Sequence, residues 1–450
     1  MSTDAGSGIR DPGSDQKERE LNPGSGVRDP GSDQREREPQ PGSAIRDPRS
    51  DQREQQGTGG AAVGRLGSRI PDHGSRQGSR VAIVHDWLTG MRGGEKVLEA
   101  ICDIYPETTI YTLVQVKGSV SPKIEAHPIR RSAVQKLPKA GQVYRNYLPL
   151  FPMMVEMFDL DHYDLVISSS HCAAKSVIRT ASATHLCYCH SPMRYAWDQF
   201  DSYFGPDQVG QVRSRLLRPV LAHLARWDAA TAARVDRFVA NSQYVAGRIR
   251  RYYNRGSTVV YPPVDTTFYR PPSATAPQPS QPAFLVVSAL VPYKRLDVAI
   301  DACRHIGASL KIVGRGPEES RLIARANGAV EFLGWRSDEE IRDLYQHSTA
   351  VLLPGTEDFG MVPVEAQACG TPVVALGTGG ACETVQDGIT GILVGDPSVE
   401  AFASGLDRVR SVQRDAAVYR AHAERFSRDR FTTNFRNAVA AAIAERETRS

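Results

Sequence analysis

The sequence predicts an α/β chain: two parallel, doubly wound sheets preceded by a segment with no core of its own. Short apolar runs recur between residues 80 and 376, each passing into a loop of Gly, Ser, Thr or Pro and then into a helix-period stretch. Residues 351–391 hold one complete strand–loop–helix–strand unit with glycines at the strand ends. Residues 1–79, by contrast, carry almost no hydrophobic side chains.

The unit at 351–391 organises the rest. Val351-Leu352-Leu353 has the pattern of a buried parallel strand, and Pro354 to Asp358 form the loop leaving it. Phe359-Gly360-Met361 lead into a helix ending near Cys369. Gly370 stands where a left-handed helix stop is expected, and Thr371-Pro372 cannot continue the helix. Pro372 to Leu376 make the second buried strand, followed by Gly377, Gly379 and Gly380. Glu357 lies on the loop and Glu365 about a turn into the helix, with seven residues between them. The backbone N–H groups of Phe359, Gly360 and Met361 stand at the helix N-terminus, where an anion is favoured. Carboxylates that accept hydrogen bonds from sugar hydroxyls, beside amides that hold phosphate, describe a sugar-nucleotide site.

Glu357 through Glu365 resembles the E-x7-E motif of retaining GT-B glycosyltransferases, and EDFGMVPVEAQACGTPVVA is similar to glycosyltransferase family 4. The resemblance covers about residues 81–440 and implies the GT-B architecture, two Rossmann-like domains facing across a cleft. The expected division is a disordered repeat tail (1–79), an acceptor-side domain (80–262), a donor-nucleotide domain (263–425) and a C-terminal helix crossing back to the first domain (426–450).

Composition narrows the partners. A net charge of +4 carries no nucleic-acid footprint. Seven cysteines, an odd number without framework spacing, read as reduced thiols packed in the core of a cytoplasmic protein. No apolar run reaches the ~18–20 residues that span a bilayer, and the N-terminus has no apolar signal core. A soluble or peripherally attached protein is expected, at the inner face of the cytoplasmic membrane if attached. The tail repeats GSGIRDPGSDQKERE from Gly6 with a period of 18, again from Gly24 and Gly42. Its Gly, Pro, Ser and mixed charge bury too little surface to offset ordering, so it is expected to be disordered.

The first domain begins with the apolar strand Arg80 to Val84. Gly93-Gly94 then open a helix and let its backbone approach a ligand phosphate. Arg92 beside them can meet that phosphate or stay solvated. Residues 126–158 interleave Arg130, Arg131, Lys136, Lys139 and Arg145 with Tyr144, Tyr147, Leu148, Leu150, Phe151, Met153 and Met154. This pattern suits an anionic membrane surface, or equally an insertion packing on the first domain. Asp164 to Ser170 and His185 to Cys189 read as strands, the second delivering His190 at its end. His190-Ser191-Pro192 resembles the family's H-x-P loop, which gives His190 a positioning and electrostatic role. Residues 210–256 read as an arginine-rich helical stretch with Asp236 to Ser242 as the last strand of the domain.

Ala283 to Val287 start the second domain, and Ser288 to Asp297 resemble the family's G-R-L-x-x-x-K motif for the donor diphosphate. Lys294 fits the lysine. Ala289 stands where the arginine is usual, so Arg295 or Arg92 is expected nearby to supply the missing charge. Gly314, in Gly314-Arg315-Gly316, resembles the loop beside the nucleotide. A dinucleotide site is disfavoured there because the third glycine is missing.

The resemblance therefore implies transfer of a hexose from a nucleotide sugar, with retention, to a glycan or lipid-linked acceptor. Catalytic roles fall to His190, Glu357 and Lys294. Donor contacts fall to Gly93, Gly94, Lys294, Arg295, Gly314, Glu357, Phe359, Gly360, Met361 and Glu365. No cofactor or metal is expected, since lysine and a helix N-terminus carry the leaving-group charge and no D-x-D cluster is present. The V-P-Y-K-R-L-D, Y-P-P-V-D and H-S-P-M-R-Y-x-W-D wordings favour GDP-mannose, with UDP-sugars as the alternative donors. A hydrolase using the two glutamates leaves Lys294 and the glycine turn unexplained. A non-catalytic partner retaining the fold is the rival that Ala289 supports.

Overall fold

The structure is a computed structural model and describes residues 79–273, 283–326, 328 and 330–448. The repeat tail expected at the N-terminus lies outside the described residues.

Two parallel sheets form the molecule. The first contains β1 (Val81–Leu88), β2 (Thr109–Gln115), β3 (Ile129–Arg131), β4 (Leu165–Ser170), β5 (Thr184–Cys189), β6 (Arg237–Ala240) and β7 (Ser257–Val259). Its order is β3-β2-β1-β4-β5-β6-β7. The second contains β8 (Phe284–Val287), β9 (Leu310–Val313), β10 (Val330–Gly334), β11 (Val351–Leu353), β12 (Val373–Leu376) and β13 (Gly391–Val394), in the order β10-β9-β8-β11-β12-β13. The order reverses between β1 and β4 in the first sheet and between β8 and β11 in the second. In an open parallel sheet the crevice at such a reversal, beyond the carboxyl ends of the strands, is where ligands bind.

The first strand is longer than its apolar run. β1 continues through His85 and Asp86 to Leu88 because both polar side chains find partners inside the fold. His85 Nδ1 lies 3.0 Å from Ser169 Oγ. Asp86 accepts four backbone N–H bonds of 2.7–2.9 Å, from His171, Cys172, Ala173 and Ala174. A carboxylate so satisfied tolerates complete burial.

One further expectation is corrected. The last strand of the first sheet is Ser257–Val259, paired outside β6, rather than the run at 236–242. Ser-Thr-Val at a half-buried edge has no apolar signature to detect. In residues 126–158, Tyr144, Leu148, Phe151 and Val155 are buried in one core with Trp87 and Leu113, so much of the aromatic face packs inward. Leu150, Met153 and Met157 stay exposed.

The helix Met361–Ala368 ends where expected, and Gly370 takes the left-handed conformation at φ +82. The helix Arg428–Glu447 leaves the second sheet and lays Phe431, Phe435, Ala438, Val439 and Ala442 into the core formed by Ile83, Leu186 and Tyr188 of the first. Phe431 and Phe435 stack on each other 5.4 Å apart. Burying each phenylalanine contributes about 1.5–3 kcal/mol, enough to hold this crossing helix in place.

Gly314 shows how closely loops approach at the mouth of the second sheet. Its φ is +129, and a β-carbon there would lie 1.9 Å from the Ser288 carbonyl oxygen. Gly314→Ala is therefore expected to destabilise by at least about 1–3 kcal/mol through overpacking against backbone. Thermal denaturation checks this: an unchanged melting temperature would show that the two loops are not held together.

Candidate active site

The loop leaving β11 presents Glu357 and Asp358 to the crevice, and the loop after β12 supports it from behind. The Gly380 amide donates to the Glu357 carbonyl at 2.8 Å. A β-carbon on Gly380 would lie 2.3 Å from Phe359 Cα, so only glycine permits this approach. The Phe359 ring packs between Tyr261 and Phe426, at 5.6 and 5.5 Å, and leaves only its backbone to the site. Gly360 and Met361 open the helix, and first-turn amides have no acceptor within their own helix.

Glu357 is paired with Lys294, both side chains nearly buried. Glu365 is held from two sides. Its Oε2 accepts from the Tyr345 hydroxyl at 3.0 Å, and its Oε1 lies 3.3 Å from Lys96 Nζ. Lys96 comes from the helix Gly93–Ile104 of the first domain, so this ion pair crosses the cleft. Burial pushes the Lys96 ammonium down, but the Glu365 and Asp338 carboxylates outweigh it and leave its pKa raised. Lys96 was invisible as a site residue in the sequence, being one lysine in an amphipathic helix.

The glycine turn meets the Glu357–Met361 segment directly. A β-carbon on Gly93 would lie 3.4 Å from Met361 Sδ, and one on Gly94 would lie 3.8 Å from His190 Nε2. The structure thus brings Gly93, Gly94, His190 and Met361 to one place, with Lys294, Glu357 and Glu365 on the second domain's side. Gly314 stands one layer back. Its amide donates to the Gly334 carbonyl at 2.8 Å and it braces the Ser288–Leu290 loop.

Arg295 does not join them. It takes a left-handed backbone (φ +52), is largely exposed, and reaches Asp297 at 3.2 Å. Arg92 is exposed at the start of its helix. The arginine that does reach the Glu357–Asp358 loop is Arg194, which pairs with Asp358 and covers the Tyr293 ring at 5.4 Å. Burial lowers the Arg194 pKa, and the Asp358 charge more than reverses that. Arg194 follows His190-Ser191-Pro192-Met193, and that adjacency was the available signal.

The cleft is bridged at other points. Ser242 Oγ donates to the Asp358 carbonyl at 2.5 Å. The Glu383 carboxylate accepts the amides of Gln243 and Tyr244 at 2.8 and 3.0 Å, supplying acceptors for a helix start on the opposite domain. On the first-domain side His190 Nε2 lies 2.8 Å from Ser169 Oγ, and its carbonyl accepts from Asn241 Nδ2 at 2.9 Å. Burial and the neighbouring His171 and His85 hold the His190 pKa well below the usual histidine range, so the ring is neutral at pH 7.

Comparison with known proteins follows the same division. Residues 112–268 match the profile described as Glycosyltransferase Family 4, and residues 272–426 the one described as Glycosyl transferases group 1. A D-inositol 3-phosphate glycosyltransferase of Rhodococcus opacus (strain B4) is 31% identical over 226 residues, 43% of this chain and 51% of that protein. One of Mycobacterium tuberculosis (strain ATCC 25177 / H37Ra) is 30% identical over 245 residues, 48% of this chain and 51% of that protein. The chain spans about half the length of these curated relatives. Among solved structures, HepE of Anabaena in complex with UDP-glucose superposes with a TM-score of 0.59 at 20% identity, covering 82% of this chain and 100% of that one. Sucrose-phosphate synthase from Thermosynechococcus elongatus superposes with a TM-score of 0.57 at 18% identity, covering 81% and 98%. The chain therefore carries one segment that matches the Glycosyltransferase Family 4 profile and one that matches the Glycosyl transferases group 1 profile, on a GT-B fold.

Proposed function

We propose that the protein is a retaining glycosyltransferase that moves a hexose from a nucleotide sugar to a glycan or lipid-linked acceptor in cell-surface polysaccharide or glycolipid synthesis. The observation that carries this is the meeting, across one cleft, of the Lys294–Glu357 pair and Glu365 with Gly93, Gly94 and His190.

In this reading the Glu365 carboxylate accepts the ribose hydroxyls, sharing its charge with Lys96. Glu357 accepts hydroxyls of the donor sugar. Lys294 and the first-turn amides of Gly360 and Met361 stabilise the leaving diphosphate, where negative charge develops. The bond from the anomeric carbon to the phosphate oxygen breaks as the acceptor oxygen bonds to the same face of that carbon. The acceptor proton passes to the departing phosphate oxygen. Lysine and amides carry the leaving-group charge, so the reaction is proposed to need no divalent ion or cofactor. Arg194, by pairing with Asp358, fixes the loop that bears Glu357.

GDP-mannose is the proposed donor, on the wording around His190, Tyr261 and Lys294. A UDP-sugar is the second reading, supported by the UDP-glucose complex of the similarly folded HepE. The acceptor is proposed to be lipid-linked and the enzyme to work in the cytoplasm at the membrane surface. No helix among the described residues is long and apolar enough to cross a membrane.

Calorimetric titration without added metal, first with GDP and then with UDP, tests the reading. The Glu365→Ala variant is expected to bind the nucleotide about tenfold or more weakly, since a hydrogen bond to a charged group contributes about 1.5–3 kcal/mol. Tight UDP binding with no GDP binding would replace the mannose donor. If neither nucleotide binds, the transferase reading fails and a non-catalytic partner of the same fold takes its place.

A further inference from the structure

The Lys96 ammonium sits in a seat whose polar partners all come from the second domain. Nζ lies 3.3 Å from Glu365 Oε1, 3.4 Å from the Tyr269 hydroxyl and 3.5 Å from Asp338 Oδ1. The Tyr269 ring centre is 5.6 Å away. Helix register brings the lysine there. Gly93 opens the helix Gly93–Ile104 and approaches Met361, the first residue of the helix Met361–Ala368. One turn further along each helix, Lys96 meets Glu365.

The two oxygens of Glu365 are not equivalent. The residue is only 5% exposed. Its Oε2 accepts from the Tyr345 hydroxyl, and Tyr345 is itself fully buried, so no ligand approaches from that side. Oε1 is the oxygen left for a ligand, and Lys96 holds it from the cleft with its side chain 29% exposed. An ammonium presents N–H donors and no acceptor. A vicinal ribose diol offers a carboxylate two O–H donors. Both therefore seek the same oxygen, and so buried a carboxylate has no open surface on which to meet a sugar while the ammonium stays.

We propose that Lys96 is an internal competitor for the ribose seat, so that the ribose hydroxyls of a nucleotide reach Glu365 by displacing the ammonium, which keeps Asp338 as its partner. Asp338 suits that part, being exposed at the start of the helix Asp338–Gln346. The competition rests on the reading of Glu365 as the ribose carboxylate; the occupied seat in the free protein does not. Apparent nucleotide affinity is then reduced by the fraction of molecules in which the seat is vacant.

Amine labelling reads the seat without any nucleotide. Reductive methylation of the full-length protein, followed residue by residue by mass spectrometry, is expected to modify Lys96 slowly in the wild type. In Glu365→Ala it is expected to be about tenfold faster, as an amine released in a minor state of about 10% becomes free throughout. Equal rates in the two folded proteins overturn the occupied seat. Calorimetric titration with GDP and with UDP reads the competition. Lys96→Met keeps an apolar stem beside Tyr269 and removes the charge. It is expected to bind the preferred nucleotide about tenfold more tightly than the wild type, the gain when a competent state of about 10% becomes dominant. In the Glu365→Ala background the same substitution is expected to change nothing, because no seat is left to contest. Unchanged or weaker binding by a folded Lys96→Met protein overturns the competition, as does an equal gain in the Glu365→Ala background. Should Lys96→Met not fold, saturating nucleotide is expected to speed methylation of Lys96 in the wild type, and a slower or unchanged rate overturns the competition. Slow labelling that Glu365→Ala relieves, in a protein that binds neither nucleotide, leaves the occupied seat standing and removes the transferase reading and the competition with it.

Discussion

Lys175→Met is expected to destabilise the first domain by about 3–5 kcal/mol, the usual cost of removing one partner of a buried ion pair. Lys175 is 1% exposed and Asp228 0%, and Nζ lies 2.9 Å from Oδ1. The ammonium also donates to the Asp228 carbonyl at 2.6 Å and to Thr231 Oγ1 at 3.1 Å. The other carboxylate oxygen accepts from Trp197 Nε1 at 2.7 Å and from the Tyr253 hydroxyl at 2.9 Å. Asp228 Oδ1 has the ammonium charge as its partner but no hydrogen bond of its own among the described residues, and the pair ties the helix Gln211–Thr231 to the segment between β4 and β5. Methionine fills the lysine's volume but leaves a carboxylate with no countercharge in the core. Adding Asp228→Asn to Lys175→Met should recover much of the loss, because the amide oxygen still accepts from Trp197 and Tyr253. Denaturant unfolding followed by tryptophan fluorescence measures both, since Trp197 and Trp227 lie against the pair. A loss below about 1 kcal/mol in the single variant would mean that the charges are solvated, as surface pairs are.

If the proposed transfer from a nucleotide sugar holds, Lys294→Ala is expected to lower turnover by about 10²–10³-fold, the range for removing one fixed donor from a developing oxyanion. The site leans heavily on this residue. Ala289 supplies no charge, Arg295 is turned to Asp297, and Arg194 is engaged by Asp358. Lys294, held beside Glu357, is a cation placed at the proposed donor loop. Arg295→Ala is the matching control and is expected to retain near wild-type turnover. Release of the nucleoside diphosphate in steady-state assays separates the two. Equal losses in both variants would sink this assignment and return Arg295 to the diphosphate. Circular dichroism guards against misfolding, because removing Lys294 also leaves the Glu357 carboxylate without its partner.

Local pattern was a good guide where burial is uniform along an element. Strands covered on both faces by helices become continuous apolar runs, so β8, β11 and β12 were legible from residues alone. The loop between β11 and the helix Met361–Ala368 was legible for a related reason. Glu357, the Phe359-Gly360-Met361 turn and Glu365 lie within one strand–loop–helix unit, and their spacing alone places them together. Arg295 misled because adjacency to Lys294 does not fix direction. Its left-handed backbone sends the side chain to Asp297.

The sequence alone determined two parallel-sheet domains, a glycine turn on the first and a loop bearing two glutamates on the second. Hydrophobic period and turn chemistry act over a few residues, so a single strand of text preserves them. Only the tertiary structure decided which polar groups are buried, and with whom. Ser169 and His85 meet across 84 residues and Lys96 and Glu365 across 269. The cost of burying such a group is offset by a partner that no local periodicity can announce. Asp86 within a strand, Lys96 across the cleft, Arg194 on Asp358 and His190 on Ser169 all exist for that reason.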